Sequence, residues 1–222
     1  MKVIITGSTG LVGSAVVREC IANEAITHAY VLSRRELPDD VSKNAKITVI
    51  IHEDFSTYPH DLLQQLAGCE ACIWAIGGRS SQFSDIDTYR KVQVDYTLAA
   101  ANAFAKRLGP SLPDNKNFRF VFCSGKYAEW DQDKSLSFMA DTRLVKGQVE
   151  KGLCDLAKNE DRLDVWCARP SGILPSNVGY FGILTGKLYG AIKVDGLARA
   201  LVRIALNGSS TQIIESEELA RI

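Results

Sequence analysis

The sequence has no surplus of charge of either sign: Lys and Arg number 26, and Asp and Glu number 26. Nucleic-acid-binding chains show a basic patch or tail, so no nucleic-acid partner is expected. No apolar run approaches the ~20 residues of a membrane span. Nor is there a basic leader followed by an apolar stretch, so a cleaved signal peptide is not expected. Histidine is scarce: His28, His52 and His60 are scattered and suggest no metal cluster. Cys69-Glu70-Ala71-Cys72 has the C-x-x-C form, but no second pair completes a zinc site. The other cysteines, Cys20, Cys123, Cys154 and Cys167, also lie mostly in apolar stretches and read as reduced core thiols of a cytoplasmic protein. There is no internal repeat and no low-complexity linker. A chain of 222 residues that is 46% hydrophobic is expected to form one domain, over residues 1–222, with a sizeable core.

What is present begins at once. Lys2-Val3-Ile4-Ile5-Thr6 is a short apolar run. Gly7-Ser8-Thr9-Gly10-Leu11-Val12-Gly13 follows, and Ser14 to Ile21 reads as a helix. Strand, glycine turn and helix in that order make a pyrophosphate site. The glycines allow a sharp turn and a close backbone approach, and the helix N-terminus offers unpaired N–H groups. The spacing is G-x-x-G-x-x-G.

Further strands are expected at His28–Ser33, Lys46–Ile51, Ala71–Ile76, Phe118–Cys123 and Leu163–Ala168, with a short one at Gln212–Ile214. Helices are expected around Leu62–Leu66 and from Asp85 to Leu108, Thr142 to Lys158 and Val194 to Asn207, with a helical turn at Glu217–Ile222. This alternation predicts an α/β fold: a doubly wound, mostly parallel Rossmann sheet of order 3-2-1-4-5-6, with helices on both faces. Residues 171–193 and the C-terminal elements form a small extension on the substrate side. The ligand crevice then lies at the C-terminal ends of the strands.

An NAD site usually has a carboxylate at the end of strand two, to hold the ribose 2′-hydroxyl. This chain has Ser33-Arg34-Arg35. A carboxylate repels a 2′-phosphate, whereas a guanidinium forks onto it, so NADP(H) is favoured over NAD(H). Glu36 is available to neutralise one arginine. Asp54, after strand three, offers an acceptor to the adenine amino group with Phe55 nearby; the alternative is a helix N-cap.

On these residues the chain resembles the short-chain dehydrogenase/reductase superfamily, in its extended and atypical branch. The resemblance rests on Gly7-x-x-Gly10-x-x-Gly13, Asp54, Ala75-Ile76-Gly77-Gly78, Cys123-Ser124-Gly125, Lys146-Gly147-x-Val149-Glu150 and Arg169-Pro170-Ser171-Gly172. Its later stretches are most similar to the Tat-interacting oxidoreductase-like subgroup and its fungal relatives, which include mitochondrial-membrane-associated NAD(P)-binding proteins. The resemblance implies hydride transfer at the nicotinamide of a cofactor held by Gly7, Thr9, Gly10, Leu11, Val12, Gly13, Ser33, Arg34, Arg35, Asp54, Phe55, Ala75, Gly77, Lys146 and Pro170. It also implies a serine that orients the substrate and a Tyr-x-x-x-Lys pair that moves the proton. Ser124 matches the serine and Lys146 the lysine, but the residue four before Lys146 is Thr142. A threonine hydroxyl is far too weak an acid to replace a phenol of pKa about 10.

Tyr127 is the nearest tyrosine to Ser124 and is the substitute donor assigned here, the alternative being a packing residue at the strand-five exit. Asp141, Tyr180 and Tyr189 are further candidates. Trp130 to Ser135 would form a flap or a surface loop. Phe181, Leu184, Leu188 and Tyr189 suggest a partly apolar wall for a small, weakly polar carbonyl or alcohol substrate. Three functions are consistent with this pattern: an NADPH-dependent oxidoreductase; a cofactor-binding redox regulator or scaffold without turnover; and, last, a cofactor-assisted isomerase or epimerase. The helices at 85–108 and 142–158 are available for a homodimer, or are covered within the monomer.

Overall fold

The computed structural model describes residues 1–179 and 190–222. Tyr180, Phe181, Leu184, Leu188 and Tyr189 lie outside the described residues.

Seven parallel strands form one sheet in the order β3-β2-β1-β4-β5-β6-β9. They are β1 (Lys2–Thr6), β2 (His28–Ser33), β3 (Ile47–Ile51), β4 (Ala71–Trp74), β5 (Phe118–Cys123), β6 (Leu163–Arg169) and β9 (Ile213–Glu215). The expected six-strand order is present, and the short C-terminal strand extends it. β9 pairs with β6 through Cys167–Ile213, Ala168–Ile214 and Arg169–Glu215. β7 (Ile173–Leu174) and β8 (Ile192–Lys193) form a separate parallel pair.

Strand residues are apolar on both sides because both faces are covered. On one side Val3, Ile5, Val31 and Ile73 pack with α1 (Leu11–Ala22) and α7 (Val194–Asn207). On the other, Ile4, Leu32, Cys72, Trp74 and Phe120 pack with residues of α3 (His60–Gln65), α5 (Tyr96–Arg107) and α6 (Ala140–Asn159). Among the described residues the remaining α-helices are the short α2 (Asp39–Ser42), α4 (Ile86–Arg90) and α8 (Ser216–Leu219).

Two boundaries matter for the site. α1 begins at Leu11, so Leu11, Val12 and Gly13 are its first turn rather than part of the preceding loop. The long helix expected over 85–108 is interrupted: α4 and α5 are joined by a π-helical turn at Lys91–Asp95. Such turns widen the backbone spiral and commonly mark functional positions.

All six cysteines are free. Burial pushes the Cys20 and Cys69 thiols up to about 12, and raises Cys72, fully enclosed beside Cys69, well above its ordinary value. Cys154 is lowered by a hydrogen bond from Cys167, yet it is 2% exposed. The five buried thiols are therefore expected to resist a disulfide-forming thiol reagent at pH 8, with the half-buried Cys123 the first to react and all six reacting on denaturation; rapid labelling of Cys72 before unfolding would contradict this.

Candidate functional site

The turn after β1 is built by close backbone approach. Gly7 has φ +69°, and a Cβ there would lie 2.3 Å from the Ala75 carbonyl oxygen. A Cβ on Gly13 would lie 2.1 Å from the Gly7 carbonyl oxygen. The Thr6 hydroxyl accepts from the Ala75 N–H at 3.2 Å, tying this turn to the exit of β4. Gly10 donates its N–H to the Gly7 carbonyl at 2.9 Å. The N-cap of α1 is Gly10, which supplies no side-chain cap, and the first turn holds no acidic residue. Its N–H groups are thus left for an anion. Thr9, Gly10 and Leu11 are exposed there. The Ser8 hydroxyl is buried without a partner. A bare helix N-terminus, a cradle that a Cβ would fill and an orphaned hydroxyl together fit a dinucleotide pyrophosphate.

At the end of β2 the Ser33 hydroxyl donates to the Arg35 carbonyl at 2.6 Å and accepts the Arg35 N–H at 3.2 Å. This turn leaves Arg34 and Arg35 exposed. Among the described residues neither forms an ion pair, with Glu36 or otherwise. β3 runs alongside, with Ile51 paired to Ser33. Asp54 follows and does not cap α3, whose N-cap is Pro59. Its carboxylate instead accepts from the Ser56 N–H at 3.0 Å, the Ser56 hydroxyl at 2.5 Å and the Thr57 hydroxyl at 3.2 Å. Those bonds hold it below the usual carboxylate range. Phe55 is 2% exposed and its ring packs edge-on to Trp74, so the ring is part of the core.

At the β4 exit, Gly77 lies against Gln93 of the π-helical turn; a Cβ on Gly77 would be 3.2 Å from the Gln93 Oε1. Gln93 is fully buried and both of its amide atoms lack partners. Tyr89, also fully buried, donates its phenol to the Gly78 carbonyl at 3.2 Å. The Thr142 hydroxyl accepts from the Ser80 N–H at 3.0 Å and pairs with the Ser80 hydroxyl at 3.1 Å. Neither the Tyr89 contact nor the Ser80 contact carries a motif in the sequence.

At the β5 exit the structure brings Ser124 and Lys146 close in the fold, with different partners. Ser124 donates to Glu150 Oε1 at 2.6 Å, and both residues are buried. Glu150 also accepts from the Trp130 indole N–H at 2.7 Å and, bidentately, from Arg169 at 2.9 and 2.5 Å. Arg169 bonds Glu215 as well, at 2.9 Å. These carboxylates hold its guanidinium charged, well above its ordinary pKa. Trp130 is therefore an anchor of its loop. Lys146 points its ammonium toward the Cys123 carbonyl at 3.5 Å and over the Phe122 ring at 5.4 Å. Burial lowers its pKa. The residue against its side chain is Gly125, where a Cβ would meet Lys146 Cδ at 3.3 Å. Tyr127 is 57% exposed with φ +66°, and Arg143 lies 5.8 Å from its ring. It is a rim residue and does not pack at the strand exit. Asp141 is exposed in the first turn of α6. Pro170 is buried, and its carbonyl accepts the Lys126 N–H at 2.8 Å.

Residues 3–137 match the model of the NAD dependent epimerase/dehydratase family. The chain belongs to that family. Among curated relatives it is 34% identical over 125 residues to leucinostatins biosynthesis cluster protein T of Purpureocillium lilacinum, covering 56% of this chain and 44% of that protein. It is 24% identical to the mitochondrial protein FMP52 of Kluyveromyces lactis, over 100% of this chain and 98% of that protein. Among solved structures, Gre2 of Candida albicans in complex with NADPH superposes with a TM-score of 0.74 at 18% identity, covering 97% of this chain and 77% of that one. UDP-glucose 4-epimerase of Thermotoga maritima gives 0.67 at 16%, covering 100% and 81%. The structural likenesses show a Rossmann-like α/β fold, and the family match identifies it as that of the NAD dependent epimerase/dehydratase family. Among the described residues no helix is long and apolar enough to cross a membrane, and no group of three or more His, Cys, Asp or Glu is placed to hold a metal ion.

Proposed function

We propose that the protein is an NADP(H)-dependent oxidoreductase acting on a small carbonyl or alcohol. The observation that carries this reading is the exposed Arg34–Arg35 pair, without a carboxylate partner among the described residues, at the end of β2, the strand beside β1, which leads into the uncapped N-terminus of α1. Arg34 and Arg35 would take the 2′-phosphate, Asp54 would accept from adenine, and Lys146 would hold the nicotinamide-side ribose. The bound cofactor supplies the hydride. The likeness to the NADPH complex of Gre2 supports the choice of cofactor, and the likeness to an epimerase leaves the isomerase class as the minor alternative.

Calorimetric titration tests the cofactor assignment. NADPH is expected to bind at least tenfold more tightly than NADH, about 1.4 kcal/mol. The Arg34→Ala/Arg35→Ala variant is expected to lose that preference while keeping NADH affinity. Equal affinities in the parent protein would remove the arginine argument.

One observation favours a second reading, a cofactor-binding redox regulator without turnover: the Ser124 proton is committed to Glu150, and Thr142 is committed to Ser80. NADPH binding without oxidation in a broad carbonyl screen would select it. The mitochondrial label of the Kluyveromyces relative supports a mitochondrial location as the alternative to a cytoplasmic one, and cell fractionation separates the two. A homodimer through α5 and α6 would show in sedimentation.

A further inference from the structure

We propose that Tyr127, Phe138 and Met139 form an apolar lip that receives the flat ring of an aryl carbonyl substrate, and that Arg143 is the positioning residue that holds it. The inference rests on the oxidoreductase reading and names the substrate class.

Among the described residues only two other than glycine have a positive φ: Tyr127 at +66° and Met139 at +47°. Arg143 holds both. Its Nε donates to the Tyr127 carbonyl at 2.9 Å, and its backbone N–H donates to the Met139 carbonyl at 3.0 Å. Its Nη1 donates to the Phe138 carbonyl at 3.4 Å. One residue thus ties the loop after β5 to the entry of α6. The loop is fixed at its two ends as well. The Lys126 N–H bonds the Pro170 carbonyl at 2.8 Å, and the Trp130 indole bonds Glu150 at 2.7 Å. Between these points Glu129 lies so close on α6 that a Cβ on Gly147 would be 1.7 Å from its carbonyl oxygen.

A left-handed backbone is costly for a residue with a Cβ, and glycine adopts it without that cost. Such strain persists where the surroundings over-determine it, and it concentrates at ligand clamps. Burial gives nothing back here. Tyr127 is 57% exposed, Phe138 56% and Met139 39%. What the pinned loop achieves is the outward presentation of two rings and a thioether beside one guanidinium. It does so at the C-terminal end of β5, where a doubly wound sheet holds its ligand. Gly125, two residues before Tyr127, lies against the Lys146 side chain. The lip is therefore continuous with the residue assigned to the nicotinamide-side ribose.

The chemistry of the lip points to its ligand. Rings and thioethers favour a flat π face over a saturated one, through stacking and sulfur–aromatic contact. The Arg143 guanidinium lies 5.8 Å from the Tyr127 ring centroid and makes no ion pair among the described residues. The Lys126 ammonium lies 5.4 Å from the same centroid. Cations so placed suit a ring that bears a carbonyl oxygen and repel a cationic one.

The test measures equilibrium binding to the full chain by saturation-transfer NMR, with and without NADP⁺. The probes are 2-acetylnaphthalene and its ring-saturated counterpart 2-acetyldecalin, which carry the same acetyl group on a flat and a puckered skeleton. The flat ketone is expected to bind at least about tenfold more tightly, although hydrophobicity alone favours the saturated one. The Tyr127→Gly/Phe138→Ala variant is expected to erase that preference; glycine suits the left-handed position, so the loop keeps its path. Its thermal unfolding should match the parent. Tyr127→Phe should hold the flat ketone within about twofold of the parent, because the ring and not the phenol binds. Arg143→Ala should weaken the flat ketone about tenfold with both rings still present, the size of a lost aromatic contact.

Equal affinities of the two ketones in the parent would overturn the proposal, as would a Tyr127→Gly/Phe138→Ala variant that keeps the preference. An unchanged preference in Arg143→Ala would overturn the positioning role. Absence of NADPH oxidation across a broad carbonyl screen would defeat the oxidoreductase reading instead. The binding preference is read without turnover and decides the lip by itself.

Discussion

Arg169→Ala is expected to destabilise the protein by about 3–5 kcal/mol, because it leaves a buried carboxylate without its cation. Glu150 has no exposed surface. With Arg169 gone it keeps only the Ser124 and Trp130 bonds, and the ends of β5, β6 and β9 lose their shared tie. At about 2–4 °C per kcal/mol for a domain of this size, thermal unfolding should fall by roughly 6–20 °C. Arg169→Met with Glu150→Leu should recover most of that loss, since a well-packed apolar pair avoids the desolvation of two charges. A single Arg169→Ala variant that unfolds within about a degree of the parent would show that the pair is solvated and incidental. The double variant also separates stability from chemistry: the Ser124 hydroxyl is released there from its bond to Glu150, and a gain in carbonyl reduction would show that this bond restrains it.

Gly13→Ala is expected to cost less stability than Arg169→Ala but to remove cofactor binding. The new methyl would sit 2.1 Å from the Gly7 carbonyl oxygen, where both partners are backbone and neither can rotate away. Either the first turn of α1 unwinds or the glycine turn moves off β4. Overpacking of this kind costs about 1–3 kcal/mol and occasionally more. Both responses disperse the N–H groups that would meet the pyrophosphate, so NADPH titration should show no heat while circular dichroism retains most of the sheet. Gly10→Ala is the control. Its Cβ would sit 3.3 Å from the Gly7 carbonyl oxygen, a tight contact that a shift of a few tenths of an ångström relieves, and binding should survive with a modest loss. Equal affinity in Gly13→Ala and the parent would mean that the turn does not cradle the cofactor.

The sheet was legible because each strand is a short apolar run between breakers, and parallel strands covered on both faces leave little ambiguity of period. β1, β2 and β5 fall where the residues predict them. The C-terminal strand was visible as a strand, but its place beyond β6 depends on the crossover through α7, which packs on α1. The π-helical turn at Lys91–Asp95 left no sequence signal, because a single inserted residue barely alters helical spacing. From sequence alone Asp54 has a helix N-cap as its alternative, since an aspartate shortly before a helix commonly caps it. Its partners are the next two hydroxyl residues, Ser56 and Thr57.

By itself the sequence determined the local pattern on which the proposed nucleotide site rests: the strand–glycine–helix order and the arginines in place of a carboxylate, with the absence of a tyrosine four residues before Lys146 beside them. These are local facts, set by residues within a few positions of one another. Only the tertiary structure decided the reacting end. Which partner each hydroxyl bonds depends on residues far apart in the chain: Ser124 on Glu150, itself held by Arg169, and Thr142 on Ser80. Hydrogen bonds of that kind have no spacing rule, because burial and direction, not distance along the chain, determine who donates and who accepts.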